Sequence, residues 1–104
     1  MKTLPVVVLL LFAASGAAMR STQRHDVSIE QFRYRPAVIH AGVGDTIVWR
    51  NHDIVPHTAQ TKDGGLNTGH IAAKAQRVTV MHNKGEYEFT CLYHSNMKGK
   101  LVVR

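Results

Sequence analysis

From Glu86 to Cys91 the chain alternates without a fault: Tyr87, Phe89 and Cys91 fall on one face, and Glu86, Glu88 and Thr90 on the other. A period of two is the mark of a strand with one buried face and one wet face. The same grain recurs along the chain. Val27 and Ile29 alternate with polar neighbours, and Ala37 to Ala41 resumes the pattern after Arg35-Pro36 breaks it. In Thr46 to Asn51, Ile47 and Trp49 oppose Thr46, Val48 and Arg50; in Arg77 to His82, Val78 and Val80 share a side; near the C-terminus, Leu101 and Val103 do so. Met81 falls on the polar side of its strand and reads as edge packing. Gly42-Val43-Gly44-Asp45 and Asn83-Lys84-Gly85 are turns, Pro56 interrupts any continuing strand, and residues 62–75 read as a long loop. No segment sustains a helical period. Strands and turns at this spacing predict an all-β sandwich or barrel.

A chain of 104 residues predicts one domain. Lys2, the apolar run Leu4 to Ala14 and the small residues Ala14 to Ala18 have the form of a signal peptide over 1–18. The run is shorter than the roughly 20 apolar residues a membrane span needs. Removal would leave 104 − 18 = 86 residues, with a flexible polar tail over 19–24 and a domain over 25–104. The predicted location is the periplasm, with no membrane span in the mature form.

Such a small exported domain ordinarily needs staples, yet Cys91 is the only cysteine, so no internal disulfide can form. A lone exported cysteine is a free thiol, an intermolecular bridge or a metal ligand. The net charge is +6, or 12 − 7 = +5 without Lys2. The cations are scattered singly, with no basic run and no aromatic-interleaved stripe. This pattern argues against nucleic acid and for acidic protein partners.

The segment Cys91-Leu92-Tyr93-His94-Ser95-Asn96-Met97 carries three soft or borderline ligands at three-residue steps. Because it follows a strand, a tight loop that folds back on one point is the better reading than a helix face. His57, in Pro56-His57-Thr58 after the Trp49 strand, supplies a second imidazole. Taken singly, Cys91 would pass for a buried thiol, Met97 for core and His94 for a surface residue. Together, two imidazoles, a thiolate and a weak thioether are the ligand set of a single type 1 (blue) copper ion. A bound metal would also keep Cys91 deprotonated and help hold a small domain together. Zinc fits less well, since structural zinc prefers more thiolates. His25, His40, His52, His70 and His82 lack matching partners and read as surface residues, with His52 and His70, in loops, the foremost exceptions.

These residues resemble the cupredoxins, closest to the plastocyanin and amicyanin branch. The resemblance runs from Val27 to Val103 and rests on Phe32-Arg33-Tyr34-Arg35-Pro36, Gly44 to Asn51, Pro56-His57-Thr58, Gly85 to Cys91 and His94-Ser95-Asn96-Met97-Lys98-Gly99. The short Cys-x-x-His-x-x-Met spacing looks like the amicyanin loop. The resemblance implies a Greek-key sandwich of about eight strands with copper at one pole. It also implies that His57 is the deep ligand and that His94 presents a ring edge to solvent. Two departures stand out: Thr58 where the family commonly has asparagine, and Leu92-Tyr93 where it often has a small polar residue and proline.

The function expected is electron transfer by one copper ion cycling between Cu(I) and Cu(II), in a monomer and not an enzyme. The partners expected are redox proteins: a c-type cytochrome, a dehydrogenase or an oxidase. Copper delivery by a carrier or chaperone is the alternative. An oxidase or reductase would need an open position or further copper centres, and the chain has no second Cys-His cluster.

Overall fold

A computed structural model describes residues 2–8 and 20–104. The expected signal-peptide core and cleavage region lie mostly outside the described residues. Seven strands form: β1 (Arg24–Glu30), β2 (Arg33–Arg35), β3 (Val38–Ala41), β4 (Thr46–Asn51), β5 (Gln76–Val80), β6 (Gly85–Thr90) and β7 (Lys98–Val103). Among the described residues there is no helix. The strands make two sheets, of order β2-β1-β4-β5 and β3-β7-β6. Each sheet contains one parallel pair, β1 with β4 and β3 with β7; the other pairings are antiparallel.

The fold is the all-β sandwich that the alternation predicts, with seven strands in place of about eight. The stretch between β4 and β5 contributes only isolated bridges, His57 with Ile71 and Gln60 with Asn67 and Thr90. Its glycines and proline cannot sustain a ladder.

The core forms where the inner faces of the two sheets meet. Val27, Ile29, Ile47 and Trp49 come from the first sheet, and Ile39, Phe89, Leu101 and Val103 from the second, all nearly or wholly buried. Burial of each large side chain contributes about 1.5–3 kcal/mol. Tyr34, Trp49 and Phe89 pack edge to face, with ring centroids 4.8–6.2 Å apart. Trp49 satisfies its indole N–H on the Thr79 hydroxyl at 3.0 Å. Opposite Phe89 stands Gly99. A Cβ there would lie 2.3 Å from Phe89 Cζ, so the glycine makes room for the ring.

The outer part of the first sheet completes one detail and corrects another. Val78 and Val80 do share a face, but it is the exposed one, opposite Val48 and Thr46. Met81, read as edge packing, is core at 4% exposure. Just past β5, the Met81 N–H bonds the Asp45 carbonyl and its own carbonyl accepts the Gly44 N–H. This linkage turns the side chain inward.

Asp45 anchors the same end of the sandwich. Its fully buried carboxylate accepts both Arg20 Nη groups, the N–H groups of Gln23 and Gly42, and a His25 ring contact at 2.9 Å. From the segment expected as a tail, half-exposed Arg20 therefore pairs with Asp45 and Gln23 donates its backbone N–H to it, and His25 is a partner of Asp45 instead of a free surface residue. The Arg20 guanidinium, against the opposing effect of burial and with help from the other donors, holds the carboxyl far below the ordinary range.

Candidate metal centre

At the opposite end of β4, the chain leaves the sheet through Asn51. Its buried side chain accepts the Asp53 N–H at 3.0 Å and donates to the carbonyls of Val55, Ile71 and Ala72 at 2.8–3.2 Å. One amide thus ties the 52–55 loop to the 71–72 segment. His57 and Ile71 then exchange both backbone hydrogen bonds, at 3.1 and 2.8 Å. The His57 imidazole is completely buried. Its Nε2 lies 2.7 Å from Asp53 Oδ2, which leaves Nδ1 facing Cys91 Sγ at 3.8 Å.

Cys91 comes just after β6, in line with its inward face, and is 2% exposed. The Thr58 N–H points at its sulfur at 3.4 Å. The loop after Cys91 closes on itself: the Met97 N–H bonds the His94 carbonyl at 3.0 Å, and the Cys91 N–H bonds the Met97 carbonyl at 3.3 Å. This is the fold-back expected of the 91–97 segment. Met97 is buried at 2% exposure, and His94 is half-buried with its ring centroid 5.2 Å from that of His57. Two segments 34 residues apart are joined by the Thr58 hydroxyl, which accepts the Leu92 N–H at 2.8 Å. Tyr34 braces the same strand end by donating its hydroxyl to the Thr58 carbonyl. Burial and the nearby Cys91 push the Tyr34 phenol well above its ordinary value, so it stays a donor.

Two contributors escaped the sequence reading. Asp53 takes the N–H groups of Gln31 and Phe32 at 2.8 and 3.0 Å as well as the His57 ring. Burial would raise its carboxyl, but the Phe32 N–H, the His57 ring and the Gln31 N–H outweigh burial and hold it below the ordinary range. Phe32 sets its ring edge-on to both His57 and His94, at 5.3 and 4.8 Å. Nothing in the local sequence marks either role, since both depend on the β1–β2 hairpin lying against the 53–57 loop. His70, one of the two foremost exceptions, does find a partner: its Nδ1 lies 2.8 Å from the Tyr93 hydroxyl. His52 stays exposed.

Among the described residues, no three His, Cys, Asp or Glu side chains already form a closed metal cage. The His57–Cys91 spacing of 3.8 Å is nevertheless compatible with two ligands on one ion. Bonds of about 2.0 Å to nitrogen and 2.3 Å to sulfur, opened to the trigonal angle of a His₂Cys site, separate the donors by about 3.7 Å.

A model of the cupredoxin-like domain matches residues 3–103. Amicyanin from Paracoccus denitrificans is 32% identical over 82 residues, covering 74% of this chain and 63% of the relative. Amicyanin-alpha from Methylorubrum extorquens is 29% identical over 83 residues, covering 75% and 70%. The chain thus spans a little under two thirds of the first of these relatives. Among solved structures, a Cu(I) form of an amicyanin variant superposes with a TM-score of 0.71 at 26% identity, covering 78% of this chain and 82% of that one. A reduced amicyanin variant gives 0.72 at 25% identity, covering 84% and 88%. With the sandwich and the clustered His, Cys and Met residues, these likenesses agree on one conclusion: the chain belongs to the cupredoxin-like family.

Proposed function

We propose that the protein is an electron carrier whose single copper ion is held by His57 Nδ1, Cys91 Sγ, His94 and Met97. The observation that carries this reading is the 3.8 Å approach of His57 Nδ1 to Cys91 Sγ, with the other imidazole nitrogen already taken by Asp53. The Asp53 contact fixes which nitrogen is available and orients the ring. The Thr58 N–H at the sulfur would temper the thiolate's charge, one of the levers that set the potential of such a site. Copper, when bound, supplies a one-electron couple between Cu(I) and Cu(II).

The chain's own contribution is rigidity. His57, Cys91 and Met97 are nearly or wholly buried, and their segments are tied by backbone and hydroxyl hydrogen bonds. A frame that cannot relax keeps the ligands in place in both oxidation states, so little reorganisation accompanies transfer. Buried ligands also speak against copper delivery, which needs donors that an acceptor protein can reach. His94 is the half-buried member, flanked by exposed Leu92 and Tyr93 and touched by exposed Phe32. It is the natural point of electron entry and exit, toward a partner such as a c-type cytochrome, a dehydrogenase or an oxidase in the periplasm. No helix among the described residues is long and apolar enough to cross a membrane.

The test is optical and electrochemical. The Cu(II) protein should absorb intensely in the red through thiolate-to-copper charge transfer, lose that band in Cys91→Ser, and show a reversible one-electron wave. A colourless Cu(II) form would overturn the reading.

A further inference from the structure

We propose that Phe32 is a positioning residue for the paired imidazoles: its ring holds His94 against His57 and closes that side of the site to small solutes. This inference rests on the copper reading above. His57 needs little help, being clamped by Asp53, by its backbone exchange with Ile71 and by burial. His94 differs. Among the described residues its ring makes no side-chain hydrogen bond, and its ring contacts are with Phe32 at 4.8 Å and His57 at 5.2 Å, both steeply inclined. The orientation of the half-buried ligand is therefore set by packing, and Phe32 touches both rings.

The backbone beneath Phe32 points the same way. Gln31 and Phe32 form the two-residue loop between the Glu30–Arg33 pair, with φ of +52° and +58°. Two left-handed residues define a type I′ hairpin, for which Asn-Gly is the favoured pair. A bulky aromatic there works against local preference. The loop is held by the Asp53 carboxylate, which takes both N–H groups. Phe32 does not belong to the hydrophobic core and is 46% exposed. Neither turn chemistry nor core packing accounts for a phenyl ring at this position. Contact with both imidazoles does, and strain retained at such a place is an expected mark of a working site.

The experiment compares wild type, Phe32→Gly and Phe32→Tyr as full chains, metal-free and loaded with Cu(II). Glycine suits the turn, so the metal-free Phe32→Gly protein should melt at or above the wild-type temperature. Carbon relaxation of the metal-free proteins should show His94 ring order lost in Phe32→Gly, kept in Phe32→Tyr, and His57 unchanged in both. In the Cu(II) forms, azide should bind Phe32→Gly about tenfold more tightly than wild type, a difference of about 1.4 kcal/mol, with Phe32→Tyr restoring exclusion. Equal His94 order and equal azide affinity in wild type and Phe32→Gly would overturn the proposal. So would a lower melting temperature with both histidines loosened together, the result of a merely structural role. If wild type lacks the red charge-transfer band, the copper reading fails instead, and the metal-free relaxation still decides the role of Phe32.

Discussion

The Thr58 hydroxyl accepts the Leu92 N–H at 2.8 Å while the Thr58 N–H points at Cys91 Sγ at 3.4 Å. One residue thus binds both the thiol and the loop that begins at it. Thr58→Val keeps the shape and the N–H but removes the acceptor. It removes the partner of the part-buried Leu92 N–H, a loss of about 0.5–1.5 kcal/mol. Urea unfolding should show that loss, and the copper protein should release its metal to a chelator faster.

Asp53 joins three groups, the His57 ring and two backbone N–H donors of the β1–β2 turn. Asp53→Ala should lower copper affinity by about 10–100-fold, the usual effect of removing the partner that orients a ligating histidine. Competition with a chelator of known affinity measures it. The red absorption should persist, because the thiolate remains.

Asp45 predicts an acid limit at the far pole. Its folded-state pKa lies below its unfolded value, so the native state binds fewer protons and stability rises with pH through the carboxylate range. The contribution is present above the unfolded Asp pKa of about 3.9 and is lost as pH falls below it. Melting temperatures should drop on acidification below about pH 4. Asp45→Asn should be less stable at neutral pH and lack this component of the acid dependence.

Gly99→Ala tests the packing of the two sheets. The new Cβ would meet Phe89 Cζ at 2.3 Å and the Ala37 carbonyl at 3.0 Å. Overpacking of this kind costs about 1–3 kcal/mol, readable as a lower urea midpoint with unchanged slope. Because Phe89 lies two residues before Cys91, some broadening of the charge-transfer band should accompany it.

What the sequence made legible was whatever repeats or clusters locally. At Tyr87-Phe89-Cys91 the alternation marked a strand, and the charged Glu86 and Glu88 opposite marked which face turns inward. The 91–97 spacing gave a loop that returns on itself, as the Cys91 and Met97 backbone bond shows. The approach of His57 to Cys91 was expected from donor chemistry together with the Pro56-His57-Thr58 match to the cupredoxin pattern. The rest depended on tertiary placement. Asp53 and Phe32 work across the hairpin, Arg20 reaches Asp45 across 25 residues, and Met81 turns inward only because its backbone bonds to Gly44 and Asp45. Val78 and Val80 show the remaining limit. A period of two groups residues by face but does not say which face meets the core.

The pairing of β3 with β7 sets the order in which this molecule can be assembled. Val38 sits opposite Lys100, 100 − 38 = 62 positions along the chain, so β3 cannot reach β7 by zipping a hairpin, as β6 does. Closing so distant a pair costs loop entropy before any contact offsets it. Topologies dominated by such contacts fold in about milliseconds to seconds. The loop from Cys91 to Met97 joins β6 to β7 and forms with that hairpin, whereas His57 comes from 34 residues away, so the full donor set gathers only when the two sheets dock. Ion capture is therefore a closing event, and an ion added to the unfolded chain should do little to speed its collapse.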